Sequence, residues 1–284
     1  MSKLIVIPSS QNLVKDIIND VDGFILGLDS LSVNMPFYFE EEELFNTIEY
    51  LNDSNKEIFI NLNKNMHTSD LDYLKEILIK LNKYNVIVMY YDIAIPNLRE
   101  ELGLKYDLVW AQEHLTTNSS TINFWYNHGA HYTLLSNEIT KNEIIKIKDN
   151  VKSKLMLNLF GYVPIFTSKR RLVKNYLETF NIKNDSNEFK IFKEGKYYPI
   201  VCDKLGTTVY NNNILNGIKE YLELDLDYTV LNSYKIDNND FIEVIRMFKD
   251  CNKDNVEVYF NKIKDKFENS DTLFLYRETM YKVK

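Results

Sequence analysis

Short apolar runs recur along the chain at Leu4–Ile7, Phe24–Leu26, Ile58–Ile60, Val86–Met89, Leu108–Trp110, Tyr132–Leu135, Leu155–Leu157 and Tyr228–Leu231. Runs that are apolar at every position, rather than at every second one, fit parallel strands covered on both faces. Between them lie segments with a helical period. Ser69, with Asp72 three residues on, reads as the cap of a helix whose apolar stripe is Leu71, Leu74, Ile77, Leu78 and Leu81. Thr140 with Glu143 makes a second capping box ahead of Ile144, Ile145 and Ile147. Asp237 precedes Phe241, Val244, Ile245 and Phe248, again one face of a helix. Sustained β-α alternation implies right-handed crossovers in a closed barrel or an open doubly wound sheet. Eight strand candidates, with no Gly-rich phosphate loop after the first, favour closure. The expected fold class is therefore α/β, a (β/α)8 TIM-like barrel with some irregularity.

The rhythm breaks after the seventh run. From Gly161 to about Gly217 the connection is too long for an ordinary βα loop, and an inserted subdomain is expected there. Phe189–Phe192, Tyr197–Val201 and Thr207–Tyr210 look like short strands separated by Glu194-Gly195 and Leu205-Gly206, a small β-rich unit capping the barrel mouth. The expected division is 1–160 for the first part of the barrel, 161–217 for the insertion, 218–252 for the last barrel unit and 253–284 for a terminal helix and docking tail. Val256–Phe267 reads as that helix, and Leu273–Val283 as the apolar, Tyr-rich tail.

Composition narrows the function classes. At 284 residues with 45% hydrophobic positions, the chain can bury one large core. Its net charge of −7 opposes general coating of nucleic acid, so any such contact needs a local basic patch. No apolar run approaches the length of a membrane span, and Leu4–Ile7 is too short for a secretory core, so a cytoplasmic protein without membrane contact is expected. Cys202 and Cys251 are too few for a disulfide scaffold, a four-thiolate zinc site or an iron–sulfur cluster of the chain's own.

In a barrel the working surface lies at the C-terminal ends of the strands. That rule selects Ser9 and Ser10, Asp29, Asn61 and Asn63, Tyr91 and Asp92, Gln112-Glu113-His114, Asn137-Glu138, Asn158, and Asn232-Ser233. Glu113 with His114 is the acid/base candidate, because a carboxylate and an imidazole at one strand end can exchange protons near neutral pH. Hydrogen bonding of that pair to loop backbone is the plainer alternative. Glu138 is either a site carboxylate or a group at the start of the next helix. Ser168-Lys169-Arg170-Arg171 is the sharpest basic cluster, an anion clamp or a solvated charge run. His128 and His131 precede the sixth strand, which puts them on the stability face, with Gly129 as the stop of a helix. No H-E-x-x-H or G-x-S-x-G occurs.

The segments in order resemble the collagenase-like peptidases of peptidase family U32, in a short-member variant. Gly23-Phe24-Ile25-Leu26-Gly27 resembles the family's second strand, and Gln112-Glu113-His114-Leu115-Thr116-Thr117-Asn118 its Gln-containing fifth strand with a Thr-Asn helix start. Leu135-Ser136-Asn137-Glu138-Ile139-Thr140 is similar to its Arg-Glu-Leu-Ser step. Leu159 to Ile165 with Ser168 to Arg171, then Tyr198-Pro199-Ile200 through Asp203, Gly206-Thr207 and Asn211, resemble the segments that follow. Larger members carry His-Gly-Ala and Cys at the seventh strand, and several place four cysteines around an iron–sulfur cluster. Here Phe160-Gly161-Tyr162 stands at that strand, only Cys202 falls in a cysteine-bearing region, and His128-Gly129-Ala130 repeats the motif elsewhere.

The resemblance implies a barrel and three open functions, and leaves open whether the chain catalyses a reaction alone. The first is a subunit assisting oxygen-independent tRNA uridine hydroxylation, with tRNA as partner. Asn61, Asn63, Tyr91, Asp92, Gln112 and Ser168 to Arg171 would then bind substrate. The second is a peptidase acting on collagen-like or other peptides through Glu113, His114 and Glu138. The third is a non-catalytic partner of a longer paralogue. Relatives acting on quinone precursors keep a small-molecule ligand in play. The missing cysteines, the basic cluster and the absent protease signatures favour the first. No cofactor or metal is assigned.

Overall fold

The structure, a computed structural model, describes residues 2–112, 114–186 and 188–277. Seven parallel strands follow in order: β1 (Lys3–Ile7), β2 (Gly23–Gly27), β3 (Glu57–Leu62), β4 (Ile87–Tyr90), β5 (Asp107–Trp110), β6 (Tyr132–Leu134) and the first half of β7 (Lys154–Ser168). After the insertion strands β8 (Glu188–Lys193), β9 (Lys196–Asp203) and β10 (Gly206–Asn216) comes β11 (Tyr228–Asn232), which pairs in parallel with both β7 and β1. That double pairing closes the barrel at eight strands. Every run read as a strand from its apolar continuity is one of these eight, because each is covered inside by the barrel and outside by helices.

Strand alternation sorts the two faces. Ile5, Ile25, Phe59, Met89, Val109, Met156 and Val230 fill the interior, and Phe59, Tyr132 and Tyr228 form an aromatic floor with ring centroids 5.5 to 6.3 Å apart. The alternate residues meet the helices: α1 (Gln11–Ile17), α2 (Glu41–Asp53), α3 (Leu71–Leu81), α4 (Ala94–Glu101), α5 (Ser119–Asn127), α6 (Lys141–Lys148) and, past the insertion's α7 (Leu172–Thr179), α8 (Ile218–Leu224) and α9 (Asn238–Asp250). Burying a Phe such as Phe59 contributes about 1.5–3 kcal/mol, so this two-layer core dominates the stability.

The helix starts follow the sequence with one correction. Thr140 and Glu143 form the reciprocal capping box, and the Asp237 carboxylate accepts from the amides of Asn239 and Asp240. Ser69 caps nothing: a 3-10 turn over Thr68–Asp70 precedes α3, and Asp70 accepts the amide of His67 at 2.8 Å. The short acid three residues on from His67 tightens the turn before an α-helix can begin.

β7 runs for 15 residues, first as a barrel stave and then, past Gly161, as the antiparallel neighbour of β10. β10, β9 and β8 extend the same sheet outward, so residues beyond the barrel form an arm hydrogen-bonded to it. At the chain's end α10 (Val256–Lys266) and the two-residue strand β12 (Ser270–Asp271) pack beside β10, and Leu273 and Leu275 are buried. The tail beyond Arg277, with Tyr281, lies outside the described residues.

Candidate functional site

The loop after β2 shapes the mouth. The Asp29 amide donates to Phe39 O at 2.9 Å, and the Phe39 amide donates to Gly27 O at 2.8 Å, folding residues 28–39 back over the strand ends. Met35 drops from this loop onto Gly27, where an added Cβ would sit 2.6 Å from the Met35 Cγ, so only glycine lets the plug seat. Beneath it, Ile7, Ile25, Met89, Leu134 and Val230 leave a void of about 30 Å³. The barrel axis is closed to a ligand. Asn61 donates to the Met35 sulfur at 3.2 Å, and Asn63 holds Val33 by both its amide and its carbonyl, at 2.7 and 3.1 Å. Both asparagines therefore position the plug.

The opening lies to one side. A cavity of about 250 Å³ sits between the loops after β2 to β5 and the base of the arm. Its ionisable lining consists of Lys64, His67, Tyr91, His114, Lys169 and Lys204, with no carboxylate among the described residues. Lys64 is paired with Asp70 at 3.0 Å and Lys204 with Asp29 at 2.6 Å, which raises the Lys204 pKa above its ordinary value. Lys169 has no ion pair recorded among the described residues. The arm is pinned here by Asn34, which donates to Thr167 Oγ1 at 3.1 Å and accepts from Thr208 Oγ1. Asn34 sits at φ +60°, a conformation asparagine tolerates better than most residues.

Across Asn34 a second cavity of about 250 Å³ is lined by Tyr38, Glu188, Val201, Asp203, Tyr210 and Tyr234. Burial pushes the Tyr38 hydroxyl up to about 12, so it stays protonated at neutral pH. Tyr210 and Tyr234 stack at 4.2 Å.

The structure gathers some of the residues selected from the sequence and assigns others to support. His114 Nδ1 lies 3.5 Å from Glu138 Oε1, joining the loops after β5 and β6, and both side chains are partly exposed. Glu113 lies outside the described residues. Tyr91 faces the cavity, whereas Asp92 accepts the amides of Met66 and Ala94 at 2.8 and 2.9 Å. The Gln112 side chain donates to Tyr91 O at 3.0 Å, and its Oε1 is buried without a hydrogen-bond partner among the described residues. Asn137 and Asn158 bond each other across the mouth. The basic cluster divides: Ser168 accepts the Arg170 amide at 3.2 Å, Lys169 faces the cavity, Arg170 points to solvent, and Arg171 lines an outer groove with Lys174 and Asp203. His128 and His131 lie at the opposite end, where His131 faces Asp107 at 3.5 Å.

Lys64, His67, Lys204, Asn34 and Tyr38 were not selected from the sequence. The polar run Asn63 to His67 directly after a strand carried the signal for two of them. Lys204 and Asn34 enter only through the folding back of the arm and the plug loop. Cys202 accepts from Thr207 within the arm at 3.4 Å, and Cys251 is buried after α9, its thiol pushed up to about 11 by burial. The two lie in different parts of the fold and make no four-thiolate set. Among the described residues no three His, Cys, Asp or Glu side chains gather to hold a metal ion, and no helix is long and apolar enough to cross a membrane.

Chemically, Lys169 is the cation left for an anion in the cavity, with Lys64 and Lys204 held by their carboxylates, and His114 and Glu138 set an imidazole beside a carboxylate. A solved U32 peptidase structure superposes with a TM-score of 0.53 over 81% of this chain and 92% of that one, at 14% identity, a likeness of fold. The sequence pattern of peptidase family U32 matches residues 9–272. The chain belongs to that family. Among U32-like relatives, the tRNA hydroxylation protein P2 of Bacillus subtilis (strain 168) is 25% identical over 98% of this chain and 99% of its own length. An uncharacterized protease of Methanocaldococcus jannaschii is 34% identical over 49% of this chain and 35% of its own length. As a U32 member with two cysteines, the chain offers no donor set for the iron–sulfur cluster that the resemblance attaches to longer members.

Proposed function

We propose that this chain assists tRNA hydroxylation, presenting a uridine at the side opening of the barrel to an oxygen-independent enzyme, a longer paralogue of the same family. The similarity along the whole chain to the tRNA hydroxylation protein P2 carries the reading. A cavity into which Lys169 projects without an ion pair among the described residues, between Lys64 and Lys204 that are held by Asp70 and Asp29, supports it, since a phosphate can meet a cation there in an otherwise acidic protein. In this reading Lys169 and Arg170 hold backbone phosphates, Tyr91 lies along the cavity wall, and the Asn61–Asn63–Gln112 set keeps the plug and the Tyr91 loop in place. His114 with Glu138 exchanges a proton at the rim. The arm of residues 161–217 forms the outer wall.

Nucleoside mass spectrometry on tRNA from cells with and without the gene tests this. Loss of hydroxylated uridine in the deletion is expected; unchanged tRNA sinks the reading. Arg170→Ala should weaken tRNA binding and lower its salt slope by about one unit. Wild-type binding indifferent to salt would remove the clamp. A peptidase would instead cleave gelatin as the purified chain, and activity persisting in Glu138→Gln would exclude the His114–Glu138 pair as its source.

A further inference from the structure

The charge of the molecule is divided. Residues 161–217 hold nine Lys and Arg against five Asp and Glu, a net of +4, so the remaining chain carries −11 of the total −7. The positive part is the arm, which also exposes large aromatic side chains. At its tip Phe192 and Tyr197 face each other across the β8–β9 hairpin, with ring centroids 4.9 Å apart and exposures of 62% and 63%.

Strand register gives this pair a direction. Glu188 pairs with Val201, Lys190 with Pro199 and Phe192 with Tyr197, and residues two apart share a face. Glu188, Val201 and Asp203 line the second cavity at the barrel mouth. The same face therefore continues outward through Lys190 to the Phe192–Tyr197 pair. Lys193 and Lys196 pair at the next position, beside the Glu194-Gly195 turn and on the other face of the hairpin, where Lys193 lies 4.0 Å from Glu194; Lys190, on the face of the rings, and Lys196 have no ion pair among the described residues.

We infer that the Phe192–Tyr197 pair is a stacking platform for an unpaired base of RNA, with Lys190 on the same face taking a neighbouring phosphate and Lys196 at the turn within reach of the strand as it passes the hairpin's end. Exposed rings between cations suit single-stranded nucleic acid, because every base offers a π-face and stacking is sequence-tolerant. The +4 arm on a −11 body selects a polyanion over a protein of ordinary charge and brings it in arm first. The choice of RNA rests on the proposed tRNA role; the platform would hold a single-stranded loop while the cavity receives its base. A cross-strand aromatic pair also steadies a hairpin, but that needs only apolar contact. Leucine separates the two roles.

The test is fluorescence anisotropy of the full chain with two labelled RNAs: a hairpin with a single-stranded loop and a fully paired duplex of equal length. The wild type is expected to prefer the hairpin. Phe192→Leu with Tyr197→Leu should weaken hairpin binding by about tenfold or more, leave duplex binding unchanged and leave the salt slope unchanged. Phe192→Tyr should keep hairpin affinity. Equal binding of both RNAs, or a double leucine variant with full hairpin affinity, overturns the inference. So does a wild type that binds neither RNA but self-associates or captures its paralogue through the pair, which would make the arm a protein dock. Hairpin binding that depends on the pair, in a protein whose deletion leaves tRNA nucleosides unchanged, keeps the platform and discards the tRNA role.

Discussion

The barrel and the arm are built from one sheet on opposite terms. In the barrel, Phe24, Phe59 and Leu78 are fully buried, and the apolar surface is spent on closing eight strands. In the arm, Phe166, Tyr176, Phe180, Ile191, Phe192 and Tyr197 are all at least 45% exposed, and lysines crowd the edge strand β8. Edge lysines discourage strand-to-strand aggregation, so the arm keeps its rings in solvent without inviting another sheet. Apolar surface left uncovered in this way marks a place of contact rather than a source of stability.

The contrast is broken most directly by two alanines. Phe59→Ala should lower the stability by about 3–5 kcal/mol in chemical denaturation, whereas Phe192→Ala should change it by no more than about 0.5 kcal/mol. Equal losses would mean that the arm is part of the core. A middle-sized effect is expected at their junction. Asn34→Gly keeps the backbone conformation and deletes the bonds to Thr167 and Thr208. Hydrogen exchange in β10 and the outer half of β7 should then quicken by an amount equivalent to about 1–2 kcal/mol, with β1 to β3 unchanged. Uniform quickening would show that no separate junction exists. The smallest effect is in acid. The Lys249 ammonium hydrogen-bonds Asp20 and, with Arg246, holds its pKa below the usual carboxylate value. That stabilisation is present above the ordinary carboxylate pKa and is lost as pH falls through the lowered one. Asp20→Asn should flatten the acid limb of the barrel's melting profile by a few tenths of a kcal/mol, as for other exposed pairs. An unaltered limb would assign acid sensitivity elsewhere.

The barrel was legible because two-sided burial writes itself as uninterrupted apolar runs. The hairpin was legible through Gly195 and Gly206, both at positive φ where the chain turns. What escaped was non-local. Nothing near Gly161 announces that β7 continues as a strand, since Tyr162 to Ser168 draws its partner from β10 about 45 residues on. The plug loop has no periodicity, and its fit depends on Gly27 accepting Met35. The strand-end rule gathered polar residues at the mouth of the barrel but could not tell Tyr91, which faces the cavity, from Asp92, which is occupied by two amides. His114 meets Glu138 across two loops, a proximity that chain order, which sets it beside Glu113, does not contain.

The chain enters and leaves the arm at neighbouring positions of the barrel. Phe160 pairs with Asn216, and Gly217 donates to Leu159 O at 2.7 Å, so the two ends of the excursion are bonded neighbours. Such a geometry is that of a graft: a tight turn of a few residues spans the gap at little cost in chain entropy. An exchange confined to the outer part, between the paired Ser168 and Thr207, is therefore expected to keep the eight staves in place, whereas the base belongs to the scaffold, because Val163, Ile214 and Leu215 lie in its core and β10 pairs with β12.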